Sequence, residues 1–192
     1  PKQFIDFGNW TLFGKTLERI KNSIFDYPII STNKKYISEI KKHLRLKGFK
    51  KYKIILEPAK RNTAPAILSS ALIKEIPENQ PLIFLTSDHL IEKTNLFNKS
   101  IKQHQKYLTD KNIFIFGIKP SNPSSEFGYF LSKRVSNKYK VTKFIEKPNL
   151  EKAKKIIKKK GYWNSGMFFL TKKSIINNFK KHQNRNFNHC LN

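Results

Sequence analysis

The segment PLIFLTSDH at residues 81–89 joins a short continuous apolar run to a polar loop. Further apolar runs of this kind occur at residues 28–30 (PII), 53–56 (KIIL) and 113–116 (IFIF). Short apolar runs without alternation are typical of strands that are buried on both faces of a sheet. The sequence therefore predicts four strands of one central sheet, with residues 81–85 as the strand that leads into the polar loop.

The segments between these runs have helix-compatible composition. They are residues 34–46, 64–76 and 95–108, and the first of them carries Ile37, Ile40 and Leu44 on one side. Because strand and helix alternate along the chain, the sequence predicts an α/β fold.

Polar residues follow three of the predicted strands at the point where each strand ends. They are residues 31–33 (STN), Glu57 with Pro58, and residues 86–89 (TSDH). Ligands of open parallel sheets bind outside the carboxyl ends of the strands. We therefore expect these loops to converge on one site, with Asp88 as its charged centre.

The last third of the chain changes in character. Strands are predicted at residues 129–131, 141–145 and 167–170, which indicates an appended mixed-sheet region. A helix is predicted over residues 150–160, with Ala153, Ile156 and Ile157 as a buried stripe and six lysines around it. Such a lysine run is typical of a solvated helix face, and a phosphate-binding stripe is the alternative.

The chain of 192 residues is long enough for one domain with a sizeable core. Its formal net charge of +26 comes from 39 basic and 13 acidic residues, and only five of the basic residues are arginines. Arginine is favoured for bidentate phosphate and base contacts, whereas a lysine surplus is typical of a solvated surface. Nucleic-acid binding rests on net charge alone, so we expect no specific nucleic-acid partner.

The single cysteine, Cys190, excludes an intrachain disulfide. No cluster of cysteine and histidine has zinc-site spacing, and no apolar run approaches the ~20 residues that span a bilayer. Residues 1–10 lack the basic and apolar regions of a signal peptide. The sequence therefore predicts a cytoplasmic protein without a membrane partner.

Four segments, in order along the chain, resemble motifs of the sugar-nucleotide nucleotidyltransferases. They are residues 55–66 (ILEPAKRNTAPA), 85–89 (LTSDH), 144–148 (FIEKP) and 162–168 (YWNSGMF), with 127–129 (FGY) between the second and third. The first segment is nearly specific to the mannose-1-phosphate guanylyltransferase (GDP-mannose pyrophosphorylase) branch, and the resemblance covers almost the whole chain. It implies a Rossmann-like, GT-A-like fold with a three-layer α/β/α mixed sheet.

The resemblance also implies a reaction. In that family, mannose 1-phosphate and GTP give GDP-mannose and pyrophosphate, with Mg²⁺ as the divalent cation. No protein nucleophile takes part, so positioning and charge neutralisation account for most of the catalysis. GTP and mannose 1-phosphate are accordingly the expected partners, and the resemblance leaves a homo-oligomer open.

The resemblance assigns catalytic roles on the nucleotide side to Lys2 and Asp88. Asp88 matches the metal-binding aspartate, since carboxylate oxygens are the ligands that Mg²⁺ takes beside phosphate oxygens. The alternative for Asp88 is the N-cap of a helix that begins at Leu90. Lys2 is similar to the signature lysine that contacts the triphosphate.

The nucleotide-binding residues that the resemblance implies are Glu57, Arg61, Asn62, Thr63, Ala64 and Ser87. Residues 57–64 resemble the guanine-binding segment, in which amide and hydroxyl groups read the base edge. The alternative is a helix start, because Asn62 or Thr63 can cap and Pro65 suits a first turn. Both interpretations can hold at once.

The sugar-phosphate-binding residues that the resemblance implies are Gly128, Glu146, Lys147 and Asn164. A carboxylate and an amide suit sugar hydroxyls, and Lys147, which also has an implied catalytic role, suits a phosphate. The alternative for Glu146 and Lys147 is a surface ion pair. The alternative for Asn164 is a position in a turn beside a packed aromatic, and Trp163 is assigned to packing.

The family pattern has parts that the 192 residues do not contain. The resemblance implies a first strand, a glycine-rich loop and an arginine before Pro1, and a second metal-binding aspartate and an extension after Asn192. We therefore expect a partial nucleotidyltransferase domain over residues 1–192, with a nucleotide-binding portion (1–120) and a sugar-phosphate-binding portion (121–192). Loss of a central strand would leave two unpaired sheet edges. The alternative function is a catalytically inactive sugar-phosphate-binding remnant.

Overall fold

The computed structural model describes residues 1–57, 63–136 and 138–183 of the chain. The chain divides into two compact units, one made of Pro1–Ile113 with Phe169–Asn192 and the other of Phe114–Phe168. This division reflects how the backbone packs, and it does not show which part of the chain binds which ligand. The expected nucleotide-binding and sugar-phosphate-binding portions therefore stay predictions.

The order of helices and strands confirms the α/β fold class. The first unit contains strands β1 (Ile29–Thr32), β2 (Lys53–Leu56) and β3 (Pro81–Phe84) and helices α1 (Leu12–Ile20), α2 (Ile37–Leu46), α3 (Thr63–Ala71), α4 (Thr94–His104) and α6 (Lys172–His182). The second contains strands β4 (Phe114–Ile118), β5 (Tyr129–Val135) and β6 (Lys138–Ile145), helix α5 (Leu150–Lys158) and the first part of β7 (Tyr162–Thr171). Short 3-10 turns occur at Lys2–Phe4, Lys34–Tyr36 and Gln105–Tyr107.

The prediction of one central sheet is wrong for the first two strands. β1 and β2 form a separate parallel sheet of two strands, with Ile30 opposite Ile54 and Thr32 opposite Leu56, whereas β3 is the neighbour of β7. The residues of β1 and β3 are half-buried and not buried on both faces. In the described part of the chain, each of these strands lies at an edge of its sheet, with a neighbouring strand on one side only.

Helix α1 is a helix that the sequence pattern did not predict. Its N-cap, Thr11, accepts a hydrogen bond from the backbone N–H of Gly14 at 2.9 Å. Phe13 and Leu17, one turn apart, are buried and pack in a core cluster with α2. A threonine before apolar residues four apart is a helix signal, but Gly14 lowers the helix propensity of the segment.

In the second unit, β5 pairs antiparallel with β6 on one side and with β7 on the other. Tyr129 of β5 lies opposite Ile145 of β6 and opposite Trp163 of β7. The Tyr129 side chain is fully buried, and its hydroxyl donates to the carbonyl of Ser124 and accepts from the Ser124 N–H, both at 3.0 Å. This anchored tyrosine sets the register of three strands at one end of the sheet.

Strand β7 contains Asn164, so the alternative that this residue lies in a turn is wrong. The predicted strand at residues 167–170 in fact begins at Tyr162, because Tyr162 and Trp163 pair with β5. Asn164 and Gly166 interrupt the apolar pattern of the strand, which hid its first half from sequence reasoning. Gly166 has a φ of 71°, and its N–H donates to the side-chain oxygen of Asn164 at 3.3 Å.

Helix α5 confirms the predicted lysine-rich helix, which ends at Lys158. The side chain of Asn149 caps it by accepting from the Lys152 N–H at 2.9 Å. Ala153 and Ile156 are buried while the lysines of residues 152–160 are exposed. This is the solvated face that the sequence favours.

A buried lysine, which directly follows β7, makes hydrogen bonds to the turn after α3. Lys172 is 8% exposed, and its Nζ donates to the carbonyls of Ile73 and Ile76 at 2.8 and 2.7 Å. Its backbone N–H donates to the carbonyl of Gln80 at 3.1 Å. The ammonium is tolerated in the interior because backbone carbonyls replace its hydration.

None of the helices in the described part of the chain combines the length and the apolar character that a bilayer crossing requires.

Replacing Lys172 with methionine should lower the free energy of unfolding by ~2–3 kcal/mol, because the carbonyls of Ile73 and Ile76 lose a charged donor in a buried or partly buried setting. Urea unfolding followed by circular dichroism measures this loss. Lys42→Met removes an exposed lysine of α2 and serves as the control, with an expected change within ~0.5 kcal/mol. Equal stability of the two variants would contradict a role for the two Lys172 hydrogen bonds.

Candidate functional site

The structure brings together the two residues of the first unit that the sequence assigns to catalysis. Asp88 lies in the loop after β3, and Lys2 lies in the 3-10 turn at the start of the chain. The Nζ of Lys2 is 2.7 Å from the Oδ2 of Asp88, and the side chains are 70% and 26% exposed. His89 Nε2 is 3.8 Å from the other carboxylate oxygen, Oδ1. A largely exposed cation therefore neutralises the aspartate on one side.

Asp88 does not cap a helix, so that alternative is wrong. The residues after Asp88 are not helical, and the next helix, α4, begins at Thr94 with Lys93 as its N-cap. Among residues 1–57, 63–136 and 138–183, no group of three or more metal-binding side chains occurs. Mg²⁺ often binds one or two carboxylates and completes its octahedron with waters and substrate phosphates. The single carboxylate of Asp88 fits an ion that is held jointly with a nucleotide.

The ends of β1 and β2 are joined by polar contacts at Glu57. The hydroxyl of Ser31 donates to Glu57 Oε1, and the Glu57 N–H donates to the carbonyl of Thr32 at 2.9 Å. Ser31 thereby orients the carboxylate. The sequence did place residues 31–33 and Glu57 at neighbouring strand ends, but it did not identify the bond between Ser31 and Glu57.

Two of the predicted nucleotide-binding residues, Arg61 and Asn62, lie outside the described residues. Helix α3 begins at Thr63 and has Pro65 in its first turn, so the helix-start interpretation of this segment is confirmed. Thr63 is exposed, and Ala64 is half-buried. Ser87 is half-buried in the loop beside Asp88. The nucleotide-binding roles of all these residues stay predictions.

Arg19 is a residue near Asp88 that the sequence did not single out. It lies in the last turn of α1 and is 2% exposed. Its Nη2 donates to the carbonyl of His89 at 3.0 Å, and its guanidinium carbon is 5.9 Å from the centre of the Phe97 ring. Burial lowers the pKa of the Arg19 guanidinium below its ordinary value. Nothing in the local sequence distinguishes this arginine from an exposed one.

The strand register of the second unit brings three predicted sugar-phosphate residues together. Gly128 precedes Tyr129, Glu146 follows Ile145 at the end of β6, and Asn164 follows Trp163 in β7, so each is one residue from the paired positions. The N–H of Asn164 donates to the carbonyl of Gly128 at 2.7 Å. A Cβ on Gly128 would lie 2.8 Å from Glu146 Oε2. Gly128 therefore allows a carboxylate to approach the backbone closely.

Lys147 follows this cluster in an unusual backbone conformation. Its φ is 38°, a left-handed value that costs a residue with a side chain of order 1 kcal/mol. The surface ion pair considered for Glu146 and Lys147 is wrong, since no such pair is found within 4.0 Å among the described residues. Both side chains are exposed to solvent.

Trp163 packs as predicted. Its ring centre lies 4.7 Å from that of Phe127 and 6.5 Å from that of Tyr129, in an edge-on contact with the second. The aromatic cluster supports the backbone on which Gly128 and Asn164 lie.

The chain is similar to nucleotidyl transferases over almost its whole length. The family model described as nucleotidyl transferase matches residues 1–190. The chain is 33% identical over 194 residues to the mannose-1-phosphate guanylyltransferase of Escherichia coli K12, covering 95% of this chain and 41% of that protein. It is 34% identical over 190 residues to the mannose-1-phosphate guanylyltransferase of Salmonella montevideo, covering 94% and 40%. The chain thus spans about two fifths of the length of these curated relatives.

Solved structures agree with the fold class. The crystal structure of mannose-6-phosphate isomerase from Helicobacter pylori matches with a TM-score of 0.88 and 31% identity, covering 100% of this chain and 73% of that chain. The crystal structure of mannose-1-phosphate geranyltransferase from Thermus thermophilus matches with a TM-score of 0.80 and 23% identity, covering 100% and 56%. The second likeness bears on the fold alone.

Two glycines of the second unit should respond differently to alanine. At Gly128 the new Cβ would lie 2.8 Å from the flexible end of Glu146 and 3.1 Å from the ring of Phe144, which is exposed and can shift. Gly128→Ala should therefore move the carboxylate and change stability by less than ~1 kcal/mol. At Gly117 the Cβ would lie 2.6 Å from Phe130 and 2.9 Å from Tyr162, so Gly117→Ala should cost ~1–3 kcal/mol. Urea unfolding measures the stabilities, and the ¹³C resonance of the Glu146 carboxyl reports its movement. An unshifted Glu146 resonance in Gly128→Ala would contradict the close approach.

Proposed function

Because the chain belongs to the nucleotidyl transferase family, we propose that it carries the substrate-binding residues of a mannose-1-phosphate guanylyltransferase. The observation that carries this proposal is the cluster of Gly128, Glu146 and Asn164, with Lys147 beside it along the chain. A carboxylate, an amide and a carbonyl are groups that bind sugar hydroxyls, and an exposed ammonium is a group that binds a phosphate. The names of the relatives from Escherichia coli and Salmonella agree with this assignment.

In the proposed reaction, a phosphate oxygen of mannose 1-phosphate attacks the α-phosphorus of GTP. The new bond forms as the bond from that phosphorus to the bridging oxygen breaks, and pyrophosphate leaves with the electron pair. Both reactants are anions, so catalysis consists of holding them in line and neutralising their charge. Side chains of this chain need only bind and orient, which agrees with the lack of a catalytic nucleophile in the recognised motifs.

On the nucleotide side, Lys2 and Asp88 are proposed to act on the triphosphate. Asp88 would hold Mg²⁺, which when bound neutralises charge on the phosphates. Lys2 is 70% exposed, so its ammonium can leave Asp88 for a phosphate without losing buried contacts. Glu57, oriented by Ser31, is proposed to accept from the guanine edge together with the segment that runs to Ala64.

On the sugar side, the proposed roles follow from the chemistry of each group. Glu146 would accept hydrogen bonds from mannose hydroxyls, and the amide of Asn164 would bind a further hydroxyl. Gly128 would leave the space that the carboxylate and the sugar share. Lys147 would pair with the phosphate of mannose 1-phosphate, and this proposal gives a reason for its left-handed backbone.

Titration calorimetry with mannose 1-phosphate, and with GTP and Mg²⁺, tests the proposal on the 192-residue chain. We expect both ligands to bind. Pyrophosphate release when GTP, Mg²⁺ and mannose 1-phosphate are mixed would show in addition that these 192 residues suffice for the reaction. Binding of mannose 1-phosphate without pyrophosphate release would identify the chain as an inactive sugar-phosphate-binding remnant. If neither mannose 1-phosphate nor GTP binds, the proposal is wrong.

Substitutions at Lys147 separate its charge from its backbone strain. Lys147→Ala and Lys147→Gly should both weaken binding of mannose 1-phosphate by about 10- to 100-fold, because the phosphate loses a charged partner. Glycine accepts a positive φ without strain, so Lys147→Gly should be more stable than Lys147→Ala by ~1 kcal/mol. Lys143→Ala, at an exposed position of β6, is the control and should bind normally. Normal phosphate binding by Lys147→Ala would exclude the assigned role.

A further inference from the structure

Arg19 is a buried cation with incomplete hydrogen bonding. It is 2% exposed, and its Nε and Nη1 are buried without a hydrogen-bond partner among the described residues. In that same part of the chain, no carboxylate lies within 4.0 Å of the guanidinium. A guanidinium carries five N–H donors, so burial leaves most of them unsatisfied.

Stability alone does not explain an arginine at this position. Burial of a charge without a partner is unfavourable, and apolar side chains of similar volume in place of buried charges are often neutral or stabilising. The contact with the Phe97 ring, at 5.9 Å, offsets only part of that penalty. Within the described part of the chain, the guanidinium makes one hydrogen bond, from Nη2 to the carbonyl of His89 at 3.0 Å.

This bond holds the loop that carries Asp88. His89 directly follows Asp88 and is 70 residues from Arg19 in sequence. Arg19 is itself anchored, because its own carbonyl accepts from the side-chain amides of Asn22 at 3.0 Å and Asn98 at 3.2 Å. Arg19 therefore joins the end of α1 and helix α4 to the loop after β3.

Asp88 is held from two directions by contacts of different kinds. The ion pair with Lys2 is largely exposed, and such pairs exchange readily when another charge arrives. The bond between Arg19 and His89 is partly buried, comes from a side chain that is 2% exposed, and does not involve Lys2. We infer that Arg19 is a positioning residue, which keeps the loop and hence the Asp88 carboxylate in place for a metal-bound nucleotide. This inference rests on the proposed function.

The first test measures the loop in the free chain. Arg19→Met keeps the length of the side chain and removes its charge and donors, while Arg45→Met changes an exposed arginine of α2 and is the matched control. Arg19→Met should raise amide hydrogen exchange over residues 86–90 by about 10-fold. Its melting temperature should stay constant or rise by about 2–4 °C, because an unpaired buried charge is removed. Arg19→Lys retains a donor and should restore slow exchange in part.

The second test measures GTP binding by calorimetry, with Mg²⁺ and with a chelator. Arg19→Met should weaken binding about 10-fold when Mg²⁺ is present and leave metal-free binding unchanged, since only the metal depends on Asp88. Arg19→Gln, which keeps one amide donor without charge, should bind more tightly than Arg19→Met if the bond to His89 is what matters.

Three results would overturn the inference. One is unchanged exchange over residues 86–90 in Arg19→Met. Another is a lower melting temperature with faster exchange throughout α1 and α2, the signature of a purely structural arginine. The third is an equal loss of GTP binding with and without Mg²⁺. A wild-type chain that binds no GTP would contradict the proposed function instead, and the exchange and melting measurements would then decide the role of Arg19.

Discussion

The antiparallel register at Tyr129 is the constraint on which the candidate sugar-phosphate residues depend. A fully buried tyrosine, fixed by two hydrogen bonds to Ser124, cannot slide along its neighbours without exposing its ring. Because Ile145 and Trp163 lie opposite it, the residues next to them in the chain must meet beside Gly128. A shift of one residue in either ladder would turn the Glu146 carboxylate or the Asn164 side chain to the other face of the sheet. The packing of Tyr129 in the core therefore determines which side chains lie together in the cluster next to it.

Arg19 and Lys172 are buried cations of the first unit that differ in how their charge is accommodated. Lys172 donates to two backbone carbonyls at less than 3 Å, so its burial contributes to stability. Arg19 donates through one nitrogen, and its two other nitrogens have no partner in the described part of the chain. The hydrogen bonds of Lys172 explain why it is buried. The hydrogen bonds of Arg19 are incomplete and do not explain its burial, and the inferred positioning of the Asp88 loop offers a reason for it.

The sequence predicted elements with a strong apolar pattern and missed those with a weak one. The runs at residues 53–56 and 81–85 are observed as β2 and β3, and the stripe of Ala153 and Ile156 is observed in α5. Helix α6 was missed because its sequence, KKSIINNFKKH, is mostly polar and places few residues in the core. The separation of β1 and β2 from β3 was not predicted either, since a strand's pattern reports its burial and not its neighbour.

Sequence motifs predicted candidate site residues that are neighbours in the chain, but not the contacts between distant segments. Residues within one motif, such as Glu146 and Lys147, were found directly, and the pairing of β5 with β6 and β7 was needed to show that Gly128 and Asn164 lie beside Glu146. The ion pair of Lys2 with Asp88 joins residues whose separation carries no sequence signal. Arg19 was missed because nothing in the sequence shows which of the many basic residues is buried. Tertiary contacts, and not residue identity, distinguish these groups.

Net charge does not distinguish the proposed phosphate-binding lysine from the other basic residues of the chain. Of the 39 basic residues, those of α5 are exposed on a regular helix where any polar residue would serve. Lys147 has a left-handed backbone with a φ of 38°, as Lys160 does with a φ of 57°, but Lys147 also precedes Pro148, and proline disfavours helical conformations in the residue before it. β6 ends at Ile145, the chain bends at residues 146 and 147, and Pro148 is buried. Glycine would make this turn without strain. The proposed contact with a phosphate would give the Lys147 side chain a role other than folding at this strained position.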